Sequence, residues 1–320
     1  MRVTLARSCA AFRIAGLRTN VLLGALALSA RSAAGQQLGY KLLGSAGIDA
    51  GVQPPPGLAL VDQLLHYGSN ELRDRDGRVV PIDGLEMRAT GTALGVSYTS
   101  KARGAPYLTF AAAVPVASIH VSSDDPASSL NGYGFADLFV QPLKAGWRER
   151  RFDVVTAYSI YVPSGHFEPR GVSTGRGYWT HQLSAGGALF ADSTRASRAS
   201  ALVSYEISTR KRGIDIRRGN IVQVQDGAGA AVRRVFTIGL AGFALWQVTA
   251  DHGADIPPAL RGEWSRAFGL GPEVDATIPH WKTRIAVRIE REFGVRSRPR
   301  GEVIAAGVSY LAWSPARRVR

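Results

Sequence analysis

The sequence predicts an all-β fold: a transmembrane, antiparallel, up-and-down β-barrel of about 12 strands. Three observations lead to this prediction. Long stretches of the chain alternate apolar and polar residues with a period of two, which is typical of strands, because successive side chains point to opposite faces. The connections between these stretches alternate between long and short. After residue 35 there is no apolar run of about 18 residues, so no transmembrane helix is predicted.

The start of the chain has the pattern of a secretory signal peptide. Arginines without any acid open the sequence, an apolar run follows at 21–30, and small residues follow at 33–35. That order is typical of an export signal, and the apolar run is too short to span a bilayer. An ordinary N-terminal helix is the alternative. We place the cleavage site near Gly35–Gln36.

The expected organisation therefore has four parts. Residues 1–35 are the signal peptide, 36–57 a Gly- and Pro-rich periplasmic N-terminal segment, 58–313 the outer-membrane barrel and 314–320 a basic C-terminal tail.

Cysteine content and charge further limit the kinds of site and partner that the protein can have. Cys9 is the only cysteine and lies in the signal, so the mature chain has no thiol for a disulfide or a cysteine metal site. The net charge is +14; without the five arginines of residues 1–35, 34 basic residues face 25 acidic ones, a balance of +9. The basic residues form no stripe, so outer-membrane lipid and lipopolysaccharide are the expected partners and nucleic acid is not.

Twelve segments are predicted to be strands. They are 58–71, 84–100, 106–121, 134–147, 151–163, 179–192, 199–211, 220–230, 233–248, 262–277, 281–293 and 302–313. An even number places both ends of the barrel on the periplasmic side. The eighth segment has the weakest alternation.

The connections follow the rhythm of an up-and-down barrel, with long extracellular loops and short periplasmic turns. The long connections are Leu72–Asp83, Ser122–Tyr133, Ser164–Tyr178, Lys211–Gly219, Thr249–Arg261 and Gly294–Gly301. The short ones are Lys101–Ala105, Arg148–Arg150, Asp192–Arg198 and Ile278–His280. A soluble β-sandwich has no reason to keep this rhythm.

The hairpin over residues 134–165 shows the two faces. On its first arm the apolar face opposes a face with Asp137 and Gln141, on which Phe135, Phe139 and Trp147 also fall by parity. On its second arm the mixed face carries Asp153, Ser159 and Tyr161. Charges facing a dry core are costly, whereas charges facing a wet barrel lumen are not.

We therefore expect the mixed faces to line a lumen. The expected lining residues are Phe135, Asp137, Phe139, Gln141, Asp153, Tyr161, Glu206, Phe243, Arg284, Arg288 and Glu290. A twelve-strand barrel is narrower than an open sixteen-strand porin, so a narrow or plugged path is expected. A path for small molecules and a structural charge network across a closed lumen are both open interpretations.

Tryptophans fall at predicted strand ends. They are Trp147, Trp179, Trp281 and Trp313. Aromatic girdles of barrels lie at such positions, where lipid meets water.

No motif points to an enzyme. The sequence has no G-x-S-x-G elbow and no H-E-x-x-H motif, and no two histidines have a ligand-like spacing. Asp124–Asp125 and Asp74–Asp76 are interpreted as solvated loop charges, with calcium binding as the alternative. We expect no cofactor and no metal site. A lumen hydrolase with a serine near His166 or His120 is the remaining enzymatic alternative.

Motifs along nearly all of the mature chain resemble the outer-membrane family linked to the meta-pathway of phenol degradation. The first is GFADLFVQPLKAGW, followed by the strand of Asp153 and by Tyr161–Gly165. The others are Pro54–Gly57, Tyr205–Glu206 with Gly219, Trp246–Gln247 with Asp251–Gly253, Gly271–Glu273 and Arg291–Phe293. Pro163–Ser164–Gly165 stands where the family has Pro-Thr-Gly.

The resemblance implies an outer-membrane channel or transporter for small apolar or aromatic compounds, with passive uptake and no catalytic residues. A structural or partner-binding barrel without transport is the alternative, and an outer-membrane lipid hydrolase is a further one. The barrel-assembly machinery is an expected partner. It recognises a terminal aromatic residue in such barrels, here Trp313, although 314–320 continue beyond it.

Overall fold

The structure, a computed structural model, describes residues 46–101, 106–125, 129–169, 172–191, 194–233, 235–257 and 261–315. The expected signal peptide and most of the basic tail lie outside these residues. The described residues contain fourteen strands. They are β1 (Gly57–Arg73), β2 (Val79–Val80), β3 (Glu86–Lys101), β4 (Tyr107–Ser122), β5 (Leu130–Phe135), β6 (Leu138–Arg148), β7 (Phe152–Val162), β8 (Thr180–Phe190), β9 (Arg198–Ser208), β10 (Ile221–Val232), β11 (Phe236–Gln247), β12 (Arg266–Ile278), β13 (Thr283–Arg296) and β14 (Arg298–Trp313).

The strands form one closed antiparallel barrel. Apart from the short strands β2 and β5, each strand pairs with the next one along the chain, and β14 pairs with β1 from Leu58↔Trp313 to Arg73↔Arg298. The two residues of β2 only extend the hairpin at the end of β1, and β5 and β6 follow one another along β4. In the described part of the chain the wall therefore has twelve positions, which confirms the predicted fold class.

No helix among the described residues is long and apolar enough to cross a membrane.

The two ends of the barrel differ as the sequence predicts. At one end, here called the short-turn end, β6 and β7 are joined by residues 149–151 and β10 and β11 by 233–235. The chain also enters β1 and leaves β14 at this end. At the opposite, long-loop end, residues 163–179, 209–220 and 248–265 form the longest connections.

The outer face is apolar and bounded by aromatic rings. Large aliphatic side chains such as Leu94 and Leu189 are exposed there, at 65% and 69%. At the short-turn end Tyr98 stacks on Trp313, with ring centroids 6.5 Å apart. At the long-loop end a row of rings runs across β11, β12 and β13. It joins Trp246, Phe268 and Phe293 at centroid separations of 5.5 and 5.7 Å. The four predicted girdle tryptophans are all exposed near strand ends.

One predicted strand is interrupted, which corrects a predicted side-chain direction. The segment expected to begin at residue 134 begins at Leu130 instead, as β5, and breaks at Ala136–Asp137 before β6. Pro115 on β4 accepts a hydrogen bond from the Ala136 backbone but has no N–H to return, so regular pairing stops there. Phe135 pairs with outward-facing Val116 and is 61% exposed. The prediction that Phe135 lines the lumen is therefore wrong.

A bulge in β6 corrects a second predicted side-chain direction, that of Trp147. The pairing of β6 with β7 shifts register between Val140 and Leu143, so parity reverses along the strand. Trp147, which simple alternation placed on the face of Asp137, consequently points outward and is 47% exposed. Its predicted position in an aromatic girdle agrees with this outward direction.

The last predicted loop, Gly294–Gly301, is not a loop. β13 continues to Arg296 and β14 begins at Arg298, so only Ser297 separates them. Ser297 takes a left-handed conformation, with φ of 51°. The strand ends are stabilised by other neighbours, since Arg296 pairs with Arg266 on β12 and Arg298 with Arg73 on β1.

We predict opposite responses at two adjacent residues of β13. Val287 is exposed on the outer face, whereas Ala286 pairs with inward-facing Asp275. Val287→Arg should destabilise the barrel by about 2–4 kcal/mol, because it places a charge against lipid. Ala286→Arg should cost less, since its charge faces the polar lumen and not lipid. Urea unfolding of the refolded variants in detergent or lipid measures both values. Equal losses would contradict the assignment of faces.

Candidate functional site

The inner face of the barrel carries ten of the eleven residues expected to line it. Seven are buried: Asp137, Asp153, Tyr161, Glu206, Phe243, Arg288 and Glu290. Phe139, Gln141 and Arg284 are partly exposed on the same face. Their burial shows that side chains fill much of the lumen. Their role in solute binding stays a prediction.

Ion pairs form a column along the inner wall of β12 and β13. Arg284 pairs with Asp275 at 2.9 Å, and Asp275 also binds Arg198 of β9 at 2.7 Å. Farther toward the long-loop end, Arg288 approaches Glu273 at 3.6 Å. Alternating signs reduce the cost of burying these charges. The column also fixes the distances between wall strands.

Residues 46–56, here called the N-terminal segment, lie inside the barrel at the short-turn end. Asp49 forms ion pairs with Arg198 and Arg284, which joins the segment to the charged column. Ile48 is fully buried; its N–H donates to Glu273 at 2.9 Å and its carbonyl accepts from Ser200 at 2.7 Å. Residues 36–57 were predicted to be a periplasmic segment; 36–45 lie outside the described residues, and 46–56 contact the inner wall of the barrel instead.

The other end of the segment contacts the opposite wall. The Gln53 N–H donates to Asp153 at 3.0 Å, and its side-chain amide donates to Thr109 at 3.2 Å. Lys144 Nζ donates to the Val52 carbonyl at 3.0 Å. The segment thus crosses the lumen from β12 to β4 and β7.

An apolar band lies on the inner wall toward the long-loop end. It runs over neighbouring strands β10 to β14 and β1. Its buried members are Leu65, Tyr67, Ile221, Phe243, Leu245, Ala267, Val295 and Val303. Sequence reasoning found only Phe243, because apolar residues were assigned to the lipid face. Gly269 makes room for the Phe243 ring, since a Cβ there would lie 2.2 Å from it.

The described residues of the loop over residues 163–179 contact the inner wall at the long-loop end through Asp137. The Asp137 carboxylate accepts from the backbone N–H groups of Gly165 and Arg176, at 3.1 and 2.9 Å. The break between β5 and β6 therefore places Asp137 where it fastens both arms of the loop. Asp137 was expected to line a solute path; the structure shows that it also holds this loop in place.

Three aromatic rings lie together where this loop meets the wall. Phe139 packs on Tyr161, with centroids 5.3 Å apart, and Tyr161 clusters with buried Tyr178 of the loop. Tyr178 was missed because it was counted as a loop residue. Together Phe139, Tyr161 and Tyr178 form what we call the aromatic cluster.

The histidines do not assemble into a catalytic or metal site. His120 hydrogen-bonds with Asn131 at 2.6 Å, and His166 lies 3.2 Å from Glu168. Among the described contacts neither histidine bonds a serine. The described residues contain no group of three or more potential metal ligands from His, Cys, Asp and Glu.

A closed barrel of twelve wall strands, apolar outside and charged inside, defines the protein as an outer-membrane β-barrel. The chain belongs to the family described as "Putative MetA-pathway of phenol degradation", whose sequence model matches residues 69–306. No curated protein sequence matches it significantly.

Comparison with solved structures gives one clear match of the fold among those described here, and two weaker alignments. An outer-membrane channel from Pseudomonas putida F1 aligns with a TM-score of 0.71 at 12% identity, over 82% of this chain and 97% of that one. The transport unit of the autotransporter AIDA-I from Escherichia coli has a TM-score of 0.45 at 9% identity, over 81% of this chain and 91% of that chain. The CymD monoaromatic hydrocarbon channel has a TM-score of 0.41 at 8% identity, over 81% of this chain and 89% of that chain.

We predict that Asp49→Asn loosens the N-terminal segment. The variant removes a charge from the ion pairs with Arg198 and Arg284, and we expect it to lower stability by about 1–3 kcal/mol. Because the segment crosses the lumen, single-channel conductance in planar bilayers should rise.

Asp76→Asn is the matched control, since Asp76 pairs with Arg78 on an exposed turn at the long-loop end. A loss of stability without any rise in conductance would contradict the idea that the segment narrows an open path.

Proposed function

We propose that the protein is a passive outer-membrane channel for small apolar or aromatic compounds. The aromatic cluster carries this proposal: Phe139, Tyr161 and Tyr178 lie at the long-loop end of a lumen whose wall also carries the apolar band and the charged column. Aromatic faces offer weak stacking sites to a solute ring. Charged groups keep the remaining path wet.

The family and the fold support the proposal. The family description refers to phenol degradation, and the Pseudomonas putida protein of the same fold is described as an outer-membrane channel. With residues 1–35 as an export signal, the long loops face the cell exterior and the short turns face the periplasm. Solute then meets the aromatic cluster before the charged column. We expect no catalytic step.

The outer face fits the expected environment. Its exposed aliphatic side chains match lipid chains, and the girdle rings match the lipid–water boundaries, including the boundary with lipopolysaccharide. Trp313 at the end of β14 is the residue we expect the barrel-assembly machinery to recognise.

A structural or partner-binding barrel is the rival function. The extent of side-chain burial in the lumen, with Glu290 and Arg298 fully buried, is the observation that favours it. The two functions differ in one measurable property, because only a channel has a flux that depends on its lining.

We predict that Phe139→Asp lowers the entry of a phenolic solute into liposomes that contain the purified barrel. The change replaces a ring of the aromatic cluster by a charge, so stacking is lost while the wall remains. Phe152→Asp is the matched control, because Phe152 is exposed on the outer face near the short-turn end. Flux should fall several-fold only in the first variant. Phenol entry no faster than into empty liposomes would overturn the channel and favour the structural barrel.

A further inference from the structure

Two buried cations lie in the loop between β9 and β10, at the long-loop end. Lys211 is 5% and Arg218 is 8% exposed. Within the described part of the chain, neither side chain forms a hydrogen bond or an ion pair. Buried charges of one sign are costly unless an opposite charge offsets them. The structure therefore holds two cations that an anion would stabilise.

One acid, Asp251, compensates them in part. Asp251 acts electrostatically on Lys211, but its carboxylate is engaged by the Gly219 N–H and the Gln247 amide, both at 2.7 Å. Arg176 adds a third positive charge from the loop over residues 163–179. Glu206, which is buried and acts on Tyr161 together with Arg176, adds a negative charge, so the cations of this region are compensated in part.

The titration of Lys211 reflects this environment. Burial, followed by the charges of Arg218 and Arg176, lowers the pKa of Lys211 to about 7, while Asp251 acts in the opposite direction. Lys211 is thus charged below about pH 7 and neutral above it. An anion bound beside the ammonium group would favour the charged form.

The cations adjoin the aromatic cluster. Lys211 Nζ lies 5.8 Å from the centroid of the Tyr178 ring, and Tyr178 packs with Tyr161 and Phe139. The opposite charges of Glu206 and Arg176 both act on Tyr161. One side of this region is positive and the other is a wall of rings.

We propose that this region binds small aromatic acids, with the carboxylate at Lys211 and Arg218 and the ring against Tyr178, Tyr161 and Phe139. The inference rests on the proposed channel function and names a solute class for it. Lys and Arg both donate charge-assisted hydrogen bonds to a carboxylate. Inorganic phosphate would use only the cations, and a neutral arene only the rings.

Calorimetric titration of the refolded full barrel with benzoate tests the site. Benzoate should bind saturably, and Lys211→Met should weaken binding roughly tenfold or more, the loss expected when one charge-assisted hydrogen bond is removed. Arg212→Met is the matched control, because Arg212 is an exposed cation of the same loop. It should leave benzoate binding unchanged.

A pH series separates the role of Lys211 from a general loss of folding. Between about pH 6 and about pH 8.5, wild-type affinity should fall as Lys211 loses its proton. Lys211→Arg should bind benzoate with little dependence on pH, because arginine stays charged throughout. A wild-type affinity that does not change with pH, or a Lys211→Arg variant that fails to bind, would overturn the assignment.

Two further solutes, phosphate and phenol, show whether a negative result contradicts the binding site or the channel. Phosphate binding as tight as benzoate binding would overturn the aromatic part of the site, leaving an anion site only. Phenol flux that persists in the liposome assay while benzoate shows no Lys211-dependent binding would overturn this inference alone and leave the channel standing. Absence of phenol flux, by contrast, would contradict the proposed function itself.

Discussion

The pairing of β14 with β1 is the constraint on which the rest of the molecule depends. In hydrocarbon every backbone N–H and C=O must find a partner, and a sheet with free edges leaves two rows of them unpaired. Fifteen residue pairs, Leu58↔Trp313 to Arg73↔Arg298, join these two edges. Once the sheet is closed, each residue faces either lipid or lumen. The burial of Arg288 and the exposure of Val287 follow from that division.

The inside of the barrel is organised in layers along its axis. The N-terminal segment and its ion pairs occupy the short-turn end, the apolar band lies farther along, and the aromatic cluster with its neighbouring cations closes the long-loop end. Charges are paired inside the column by Arg284 and Asp275, whereas neither Lys211 nor Arg218 forms a side-chain ion pair with the described residues. In the proposed orientation, these two cations lie at the end that solutes meet first.

Alternation along the sequence was sufficient to predict the structural features that depend only on residues adjacent in the chain. It identified most of the strands, the long and short connections other than Gly294–Gly301, and the inward direction of Arg284, Arg288 and Glu290. It failed at Phe135 because the missing N–H of Pro115, on another strand, breaks the pairing there. The clustering of Lys211 with Tyr178 depends on how two loops pack, and the place of Ile48 on contacts with distant strands. Such contacts leave no periodic signal in the sequence.

The position of the N-terminal segment limits the order in which the molecule can be assembled. Residues 46–56 precede β1 in the chain yet end up enclosed by a wall that β14, made last, completes. Bringing together two strands separated by nearly the whole chain carries the largest loop-closure entropy in the molecule. The segment must therefore be inside the curved, still open sheet before its edges join, or thread through the narrow short-turn end afterwards. The contacts of Asp49 and Ile48 with β9 and β12 allow the first route, because neither strand lies at the closing edge.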